Sequence, residues 1–588
     1  MKKLFSIIFM VLMLAVITVS CTAEDETETR SIRVLATSDL HGKFVPWDYS
    51  LNEESLSGSV AQLATAVAAF RTPETLLVDA GDSIQGNASD IFAHLDSVHP
   101  MVQAINALDY DVWVIGNHEF DYSMDIIRKT ISDLTPKVLI GNMYDETGRS
   151  LADSYAIFDM NGVRVAVIGM VTPNIARWNS STLADCTVTD PLEETRKAID
   201  AIRGQYDVLI GVFHMGLENE LGTPNSGVTD ILNACPEFDV MVSSHSHKLI
   251  QSMDINGVLV VQNKDTAQTM SVIDLTLEKS ETGWKLTGKT AESVNIADYA
   301  PDSTIMALLS EPDAFARNDA LQVVGRLDGG PLVPDNEIAP VPAALIQDTA
   351  LAELIHEVLS YYSGAAVAAT YLPNPSMKLA PGNIRKSDTS QIYKYANMLY
   401  KLRMTGAQLK KYMEVSAGFY NTFNAGDLFI SFTPGFRQNN YYMFSGIRYE
   451  IDVSAEPGSR ILNLTWPDGT PVRDDDVLEI AIDDYQANSR LLVPGVIFDA
   501  DDLPVVVEKD VRSDIGSIRD MICDYIVNVK GGVITPECDN NWKLTGYEWD
   551  TTLHQKAIEL YASGQLTLPE STDGRSITIT VDDLKNFE

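Results

Sequence analysis

The chain has 588 residues, 45% hydrophobic and 21% charged, with 82 acidic against 43 basic side chains and a formal net charge of −39. That length exceeds one ordinary domain, that composition excludes a disordered chain, and that charge excludes a duplex-binding protein, which needs a basic face to displace counterions. A small anionic ligand remains compatible, because bound divalent cations reverse the local sign of the field.

Residues 1–21 read as an export signal: Lys2 and Lys3, an apolar run over 4–19, then Ser20-Cys21. The run falls short of the ~20 residues that a spanning helix needs. Thr18-Val19-Ser20-Cys21 resembles a loose bacterial lipobox. The resemblance implies lipidation of Cys21 and an exported lipoprotein, periplasmic or anchored at the outer membrane or cell surface; a plain signal peptide is the alternative. The acidic stretch 22–30 reads as a solvated tether. Residues 31–300 alternate short, often β-branched runs (32–36, 76–78, 112–115, 163–168, 208–213, 240–242) with segments of helical spacing (60–71, 191–203), an α/β pattern with a layered sheet. Pro331, Pro334, Pro340 and Pro342, with Gly329 and Gly330, mark 301–345 as a connection. Residues 346–588 read as α+β, with helices over 351–362 and 406–417, the second opened by Thr405 as N-cap, and strands over 447–453, 460–466 and 477–482. Cys186, Cys235, Cys523 and Cys538 match no zinc spacing; an oxidising compartment would permit pairing, but no bridge is assigned.

The chemistry lies where the apolar runs stop. Run 32–36 leads into Asp39 and His41, 76–78 into Asp82, 112–115 into Asn117 and His118, 208–213 into His214, and 240–242 into His245 and His247. Ligand sites of open α/β sheets form beyond the carboxyl ends of strands, so five adjacent strands would bring these groups to one rim. One histidine at a strand end is ordinarily structural; five such features in order are not. Carboxylate and amide oxygens mixed with imidazole nitrogens suit zinc, manganese, iron or nickel. The set is too large for one tetrahedral ion and suits two, ~3.5–4 Å apart, clamping a displacement at both ends.

The series Asp39-Leu40-His41, Gly81-Asp82, Gly116-Asn117-His118-Glu119, His214 and His245-Ser246-His247 resembles the calcineurin-like metallophosphoesterases, and within them the 5′-nucleotidase family. The fold implied is a four-layer α/β/β/α metallophosphoesterase domain plus a C-terminal α+β nucleotide-binding domain of 5′-nucleotidase type. The resemblance implies that Asp39, His41 and His247 hold one metal, that Asn117, His214 and His245 hold the other, and that Asp82 bridges them. It implies that His118 acts at the phosphate and that Asp121 orients it. Trp47-Asp48-Tyr49, Ile84-Gln85-Gly86-Asn87, Val171-Thr172-Pro173-Asn174-Ile175, the stretch 441–449 and Gly458-Ser459-Arg460-Ile461 are similar to the 2′,3′-cyclic-nucleotide 2′-phosphodiesterase/3′-nucleotidase branch. That branch implies a base held between two rings, for which Tyr441 and Tyr485 are the candidates. Arg385 and Arg448 are phosphate-contact candidates by charge alone.

Departures are local. Ser243-Ser244 stands where the family has Gly-Gly, so a positive φ there would be strained. Asp483, Asp484 and Gln486 flank Tyr485 where the branch has asparagines and arginine, and Asp121 replaces the branch's asparagine. The expected function is two-metal hydrolysis of phosphate esters of small nucleotides, with no polymeric nucleic acid as partner and the membrane reached through Cys21. A 5′-nucleotidase or nucleotide-sugar hydrolase is one alternative, and a non-catalytic nucleotide-binding surface lipoprotein the other.

Overall fold

The computed structural model describes residues 28–281, 283–567 and 578–587; the signal, Cys21 and most of the acidic tether lie outside the described residues. In chain order the first strands are β1 (Thr29–Thr37), β2 (Thr75–Asp79), β3 (Val112–Val114), β4 (Lys137–Leu139), β5 (Tyr155–Met160), β6 (Val163–Val171), β7 (Val208–His214), β8 (Val240–Ser243), β9 (Ile250–Ile255), β10 (Val258–Gln262), β11 (Thr269–Ser280) and β12 (Gly283–Asn295). They form two six-stranded sheets, ordered β12-β11-β1-β2-β3-β4 and β9-β10-β8-β7-β6-β5. The strands that carry the site run parallel to one another within each sheet: β1, β2 and β3 in one, β7 and β8 in the other.

Strand alternation builds the layers. Ile32, Val34, Ala36, Val78, Val112 and Val114 meet Val165, Val167, Ile210, Val212, Val240 and Val242 in a core between the sheets. The intervening Leu35, Leu77 and Trp113 share a core with helices α1 (Val60–Phe70), α2 (Pro100–Ala107) and α3 (Met124–Asp133). On the far side Ala166, Ile168, Leu209, Phe213 and Met241 pack with α4 (Pro191–Ile202) and α5 (Val228–Ala234). Successive side chains of a strand point to opposite faces, so strands buried on both faces read as unbroken apolar runs. The result is the expected α/β/β/α stack.

The stretch 301–345 is folded rather than a bare connection, which corrects the expectation from its Pro and Gly content. Helix α6 (Ser310–Ala320) places Ala316 and Ala320 in the first domain's core, Tyr49 donates to Asp313 at 2.9 Å, and Arg317 lies 3.4 Å over the Trp47 ring. Strand Val323–Leu327 instead pairs with Gly382–Arg385 and Val533–Ile534, and Leu327, Leu332, Val333 and Val341 join the second core. Proline restricts φ but does not stop a segment from burying its side chains.

The second half contains α7 (Ala350–Ser363) and α8 (Gly406–Ala417), both where expected, and Thr405 caps α8 by accepting from Gln408 N while Gln408 returns to the Thr405 N–H. Its strands are β13 (Val367–Thr370), β14 (Leu399–Thr405), β15 (Met443–Ser445), β16 (Arg448–Asp452), β17 (Ile461–Thr465), β18 (Val477–Asp483), β19 (Val505–Glu508) and β20 (Trp542–Thr545). They form a five-stranded sheet β15-β13-β18-β14-β19 and a three-stranded sheet β17-β16-β20. The four described cysteines are free, and among the described residues no helix is long and apolar enough to cross a membrane.

Candidate two-metal centre

The seven expected ligands converge, but from two sheets rather than from five neighbouring strands. Asp39, His41, Asp82 and Asn117 follow β1, β2 and β3 of one sheet; His214 ends β7, and His245 and His247 follow β8 of the other. Contacts across the sheets close the rim: His214 Nδ1 lies 2.7 Å from the Ala80 carbonyl, and the His245 amide donates to Asp39 Oδ1 at 3.1 Å.

Two groups of ligand atoms result, Asp39-His41-His247 and Asp82-His214-His245, each with its atoms within 4.8 Å of one another. In the first, His41 Nε2 lies 3.2 Å from His247 Nε2, and His247 Nε2 lies 3.4 Å from Asp39 Oδ1. In the second, His214 Nε2 lies 3.1 Å from Asp82 Oδ2, and Asn117 Oδ1 lies 2.9 Å from His214 Nε2 and 2.8 Å from His245 Nδ1.

The donor chemistry fits cations. His41 Nδ1 faces Gln85 Oε1, His214 Nδ1 faces a carbonyl, and His245 Nε2 faces Glu220, so in each ring that nitrogen carries the proton and the other presents its lone pair to the centre. Those of His214 and His245 then meet Asn117 Oδ1 and Asp82 Oδ2 with no donor between them, and that of His41 faces His247 Nε2. Asp39 Oδ2 and Asp82 Oδ2 are buried with no hydrogen-bond partner. Buried acceptors that face only acceptors are costly unless a cation joins them.

The backbone is bent to reach this arrangement. Asp39, His41, Asp82, His245 and His247 all have left-handed φ, of 52°, 44°, 56°, 66° and 56°. Each such residue costs of the order of 1–3 kcal/mol, and such strain clusters at functional sites. Gly116 permits the close approach: a Cβ there would sit 2.2 Å from Asp82 Oδ1 and 2.4 Å from Asp82 N. Ser243 and Ser244 are not among the residues of positive φ. Their hydroxyls donate to the carbonyls of Met215 at 2.7 Å and Phe213 at 3.1 Å, so the serine pair is accommodated without strain.

His118 stands beside the first group, its ring 5.4 Å from that of His41. Its backbone N–H donates to Asp82 Oδ1 at 2.8 Å, and its Nδ1 is 2.7 Å from Asp121 Oδ2, whose Oδ1 accepts from Asn179 at 3.0 Å. Burial opposes a charge on His118, but Asp121 and Asp82 outweigh it and push its pKa up to about 10.

Three participants carry weaker sequence signals. Glu119 is fully buried and accepts from the backbone N–H groups of Asp82, Ser83, Ile84 and Gly116, tying the loops after β2 and β3 together. Its adjacency to Asn117-His118 was visible, its role was not. Glu220 lies 3.1 Å from His245 Nε2, and Trp178 stacks on the His245 ring at 5.5 Å; neither stands at a strand end.

The two ring candidates of the second domain part company. Tyr485 is 39% exposed, in the short helix Asp484–Gln486 that follows β18, and Glu220 of the metal centre and Arg437 act on it electrostatically. The turn after β19 meets the first domain, since Lys509 donates to Ser180 at 3.0 Å and Ser181 donates to Asp510. Tyr441 is 1% exposed, stacked 4.6 Å from Phe419 with its hydroxyl bonded to Tyr420. The expectation for Tyr441 is therefore corrected: it is a core residue with no face open to a base. Arg385 precedes the helix Lys386–Ile392, and Arg448 acts on Asp539 within the second domain.

Asp484 is half-buried, and burial, Asp483 and Asp121 hold its pKa well above the ordinary value of 3.8. Stability tied to its neutral form is complete below pH 3.8 and is lost as pH rises through the higher folded pKa. Asp484→Asn is expected to flatten this loss, so denaturation midpoints of variant and parent should diverge in the variant's favour from acid to neutral pH. Parallel pH profiles would refute it.

Residues 323–491 match the 5′-nucleotidase C-terminal domain family, and residues 40–261 match the bacterial capsule synthesis protein PGA_cap family. The chain is similar to the trifunctional nucleotide phosphoesterase protein YfkN of Bacillus subtilis, 26% identical over 585 residues that cover 87% of this chain and 39% of that protein. It is similar to the 2′,3′-cyclic-nucleotide 2′-phosphodiesterase/3′-nucleotidase of Yersinia enterocolitica, 25% identical over 605 residues covering 89% of each. A solved structure described as a 5′-nucleotidase from Staphylococcus aureus superposes with a TM-score of 0.73 at 21% identity, covering 88% of this chain and all of that one, a likeness of fold.

Proposed function

We propose that this chain, a calcineurin-like fold carrying a 5′-nucleotidase C-terminal domain, hydrolyses phosphate esters of small nucleotides, with 2′,3′-cyclic nucleotides and 3′-nucleotides as substrates. The chain is a phosphoester hydrolase. The observation that carries the reading is the convergence of seven acceptor side chains, two of them with unpartnered buried oxygens, on one rim. Asp39, His41 and His247 would hold one divalent ion, Asn117, His214 and His245 a second, and Asp82 would be shared. Such ions supply positive charge for the phosphoryl oxygens and lower the pKa of water.

The chain's own groups do the rest. His118 keeps Nδ1 on Asp121 and so presents Nε2–H to a phosphoryl oxygen or to the leaving oxygen, where charge grows as the ester bond breaks. Asp121 fixes the ring's direction and favours its protonated form. Tyr485, exposed on the second domain and within electrostatic reach of Glu220, offers a ring to the base. Export and a lipid anchor on Cys21 belong to the same proposal.

A 5′-nucleotidase is the second reading, favoured by Asp121 where the cyclic branch has asparagine. Phosphate release from 3′-AMP, 5′-AMP and 2′,3′-cyclic AMP with manganese, with and without chelator, decides between them. Turnover of 3′-AMP and the cyclic ester alone is expected. Preference for 5′-AMP would overturn the substrate assignment, and nucleotide binding with no turnover of any of the three would overturn catalysis.

A further inference from the structure

Away from the rim, a second set of ligand-bearing side chains converges in the C-terminal domain. Asp348, just before α7, Glu353 in its first turn, and Asp539, in the loop leading to β20, place carboxylate oxygens within 4.8 Å of one another. The bridge between Gln347 and Lys543 holds the two segments side by side.

Behind the carboxylates stands His356, 1% exposed and three residues beyond Glu353 on the same helix face. Its Nε2–H donates to the Met443 carbonyl at 3.1 Å, so the lone pair resides on Nδ1, which points at Glu353 Oε1 3.5 Å away. His356 Nδ1, Glu353 Oε1 and Asp348 Oδ2 are all buried without a hydrogen-bond partner. Asp348 is 9% exposed, and its other oxygen accepts from the Thr349 amide at 2.9 Å.

An imidazole lone pair facing a carboxylate oxygen, with one unpartnered oxygen of a second carboxylate alongside, is an arrangement of acceptors that a cation or an added proton satisfies. Burial first, and then Glu353, push the Asp348 pKa up to about 6; the Asp539 charge acts in the same direction. The Cys538 thiol hydrogen-bonds to the same carboxyl and acts the other way.

We propose that Asp348, Glu353 and Asp539, with His356 Nδ1, form a divalent-cation site separate from the catalytic rim. Three carboxylates with one imidazole suit manganese or zinc better than calcium, whose sites are built from oxygen alone. The ion ties the start of α7 to the loop before β20 and so staples the C-terminal segment to the domain. The proposal does not depend on the substrate assigned above.

The test counts metal in the full chain after chelation, reloading with manganese or zinc, and desalting. Asp539→Asn, at an exposed position, and Glu353→Gln are each expected to lower the content by one ion per chain while leaving phosphoester turnover unchanged. Each should also shrink the rise in thermal midpoint that the metal confers. Unchanged metal content in either variant overturns the site. Failure of the catalytic reading would show separately, as metal content insensitive to Asp82→Asn.

Discussion

Asp82→Asn is expected to lower kcat at least about a thousandfold and to release metal from the rim. The drop should exceed the ~10–100-fold typical of losing a partner outside the ligand shell. Asp82 is fully buried, faces His214 with Oδ2, and receives the His118 amide on Oδ1. It also acts on His41 and on His247, so its charge reaches both ligand groups. Asparagine preserves size and the acceptor for His118 N–H, and it tolerates the left-handed φ of 56° better than alanine would. What it removes is the anion, placing an amide where a lone pair faced the centre. Metal content by mass spectrometry and single-turnover kinetics check the result. Full turnover with parental metal content would dismantle the two-ion centre.

His118→Ala should separate chemistry from metal binding. Turnover is expected to fall by ~10²–10⁴-fold, the range for a positioned proton donor, while metal content stays at the parental level. The imidazole touches Asp121 and lies edge-on to His41, but it belongs to neither ligand group. Asp121→Asn should produce a smaller loss with a distinctive pH signature. Asp121 raises the His118 pKa, so the protonated ring serves at pH values below about 10 in the parent. Without that carboxylate the alkaline limb of the rate profile moves to lower pH. Metal lost in step with activity in His118→Ala would assign His118 to the ligand shell instead.

The ligands could be read in the chain because each closes an apolar run, and strand ends are where a layered sheet exposes its polar groups. The layers were legible for the same reason: strands buried on both faces leave no polar alternation, as in β7, which is buried throughout. Helix α8 announced itself through Thr405 and Gln408, a capping pair three residues apart. Other features resisted. Tyr441 sits in a motif-like stretch, yet whether an aromatic ring faces a cleft or Phe419 depends on partners 22 residues away. Glu220 and Trp178 reach His245 from loops that no periodicity marks. The prolines of 331–342 describe backbone stiffness, and that says nothing about which core the flanking helix joins.

Residue type and spacing thus settled the identity of the donor groups, the α/β layering and the chemistry those donors admit, since these depend on interactions within a few positions along the chain. Pairing across the sheets, the bent backbone at five ligand residues, the four-amide grip of Glu119 and the acceptor cluster around Asp348 came only with packing. Each of these joins segments far apart in sequence, and burial in the folded state is what makes such contacts worth their strain.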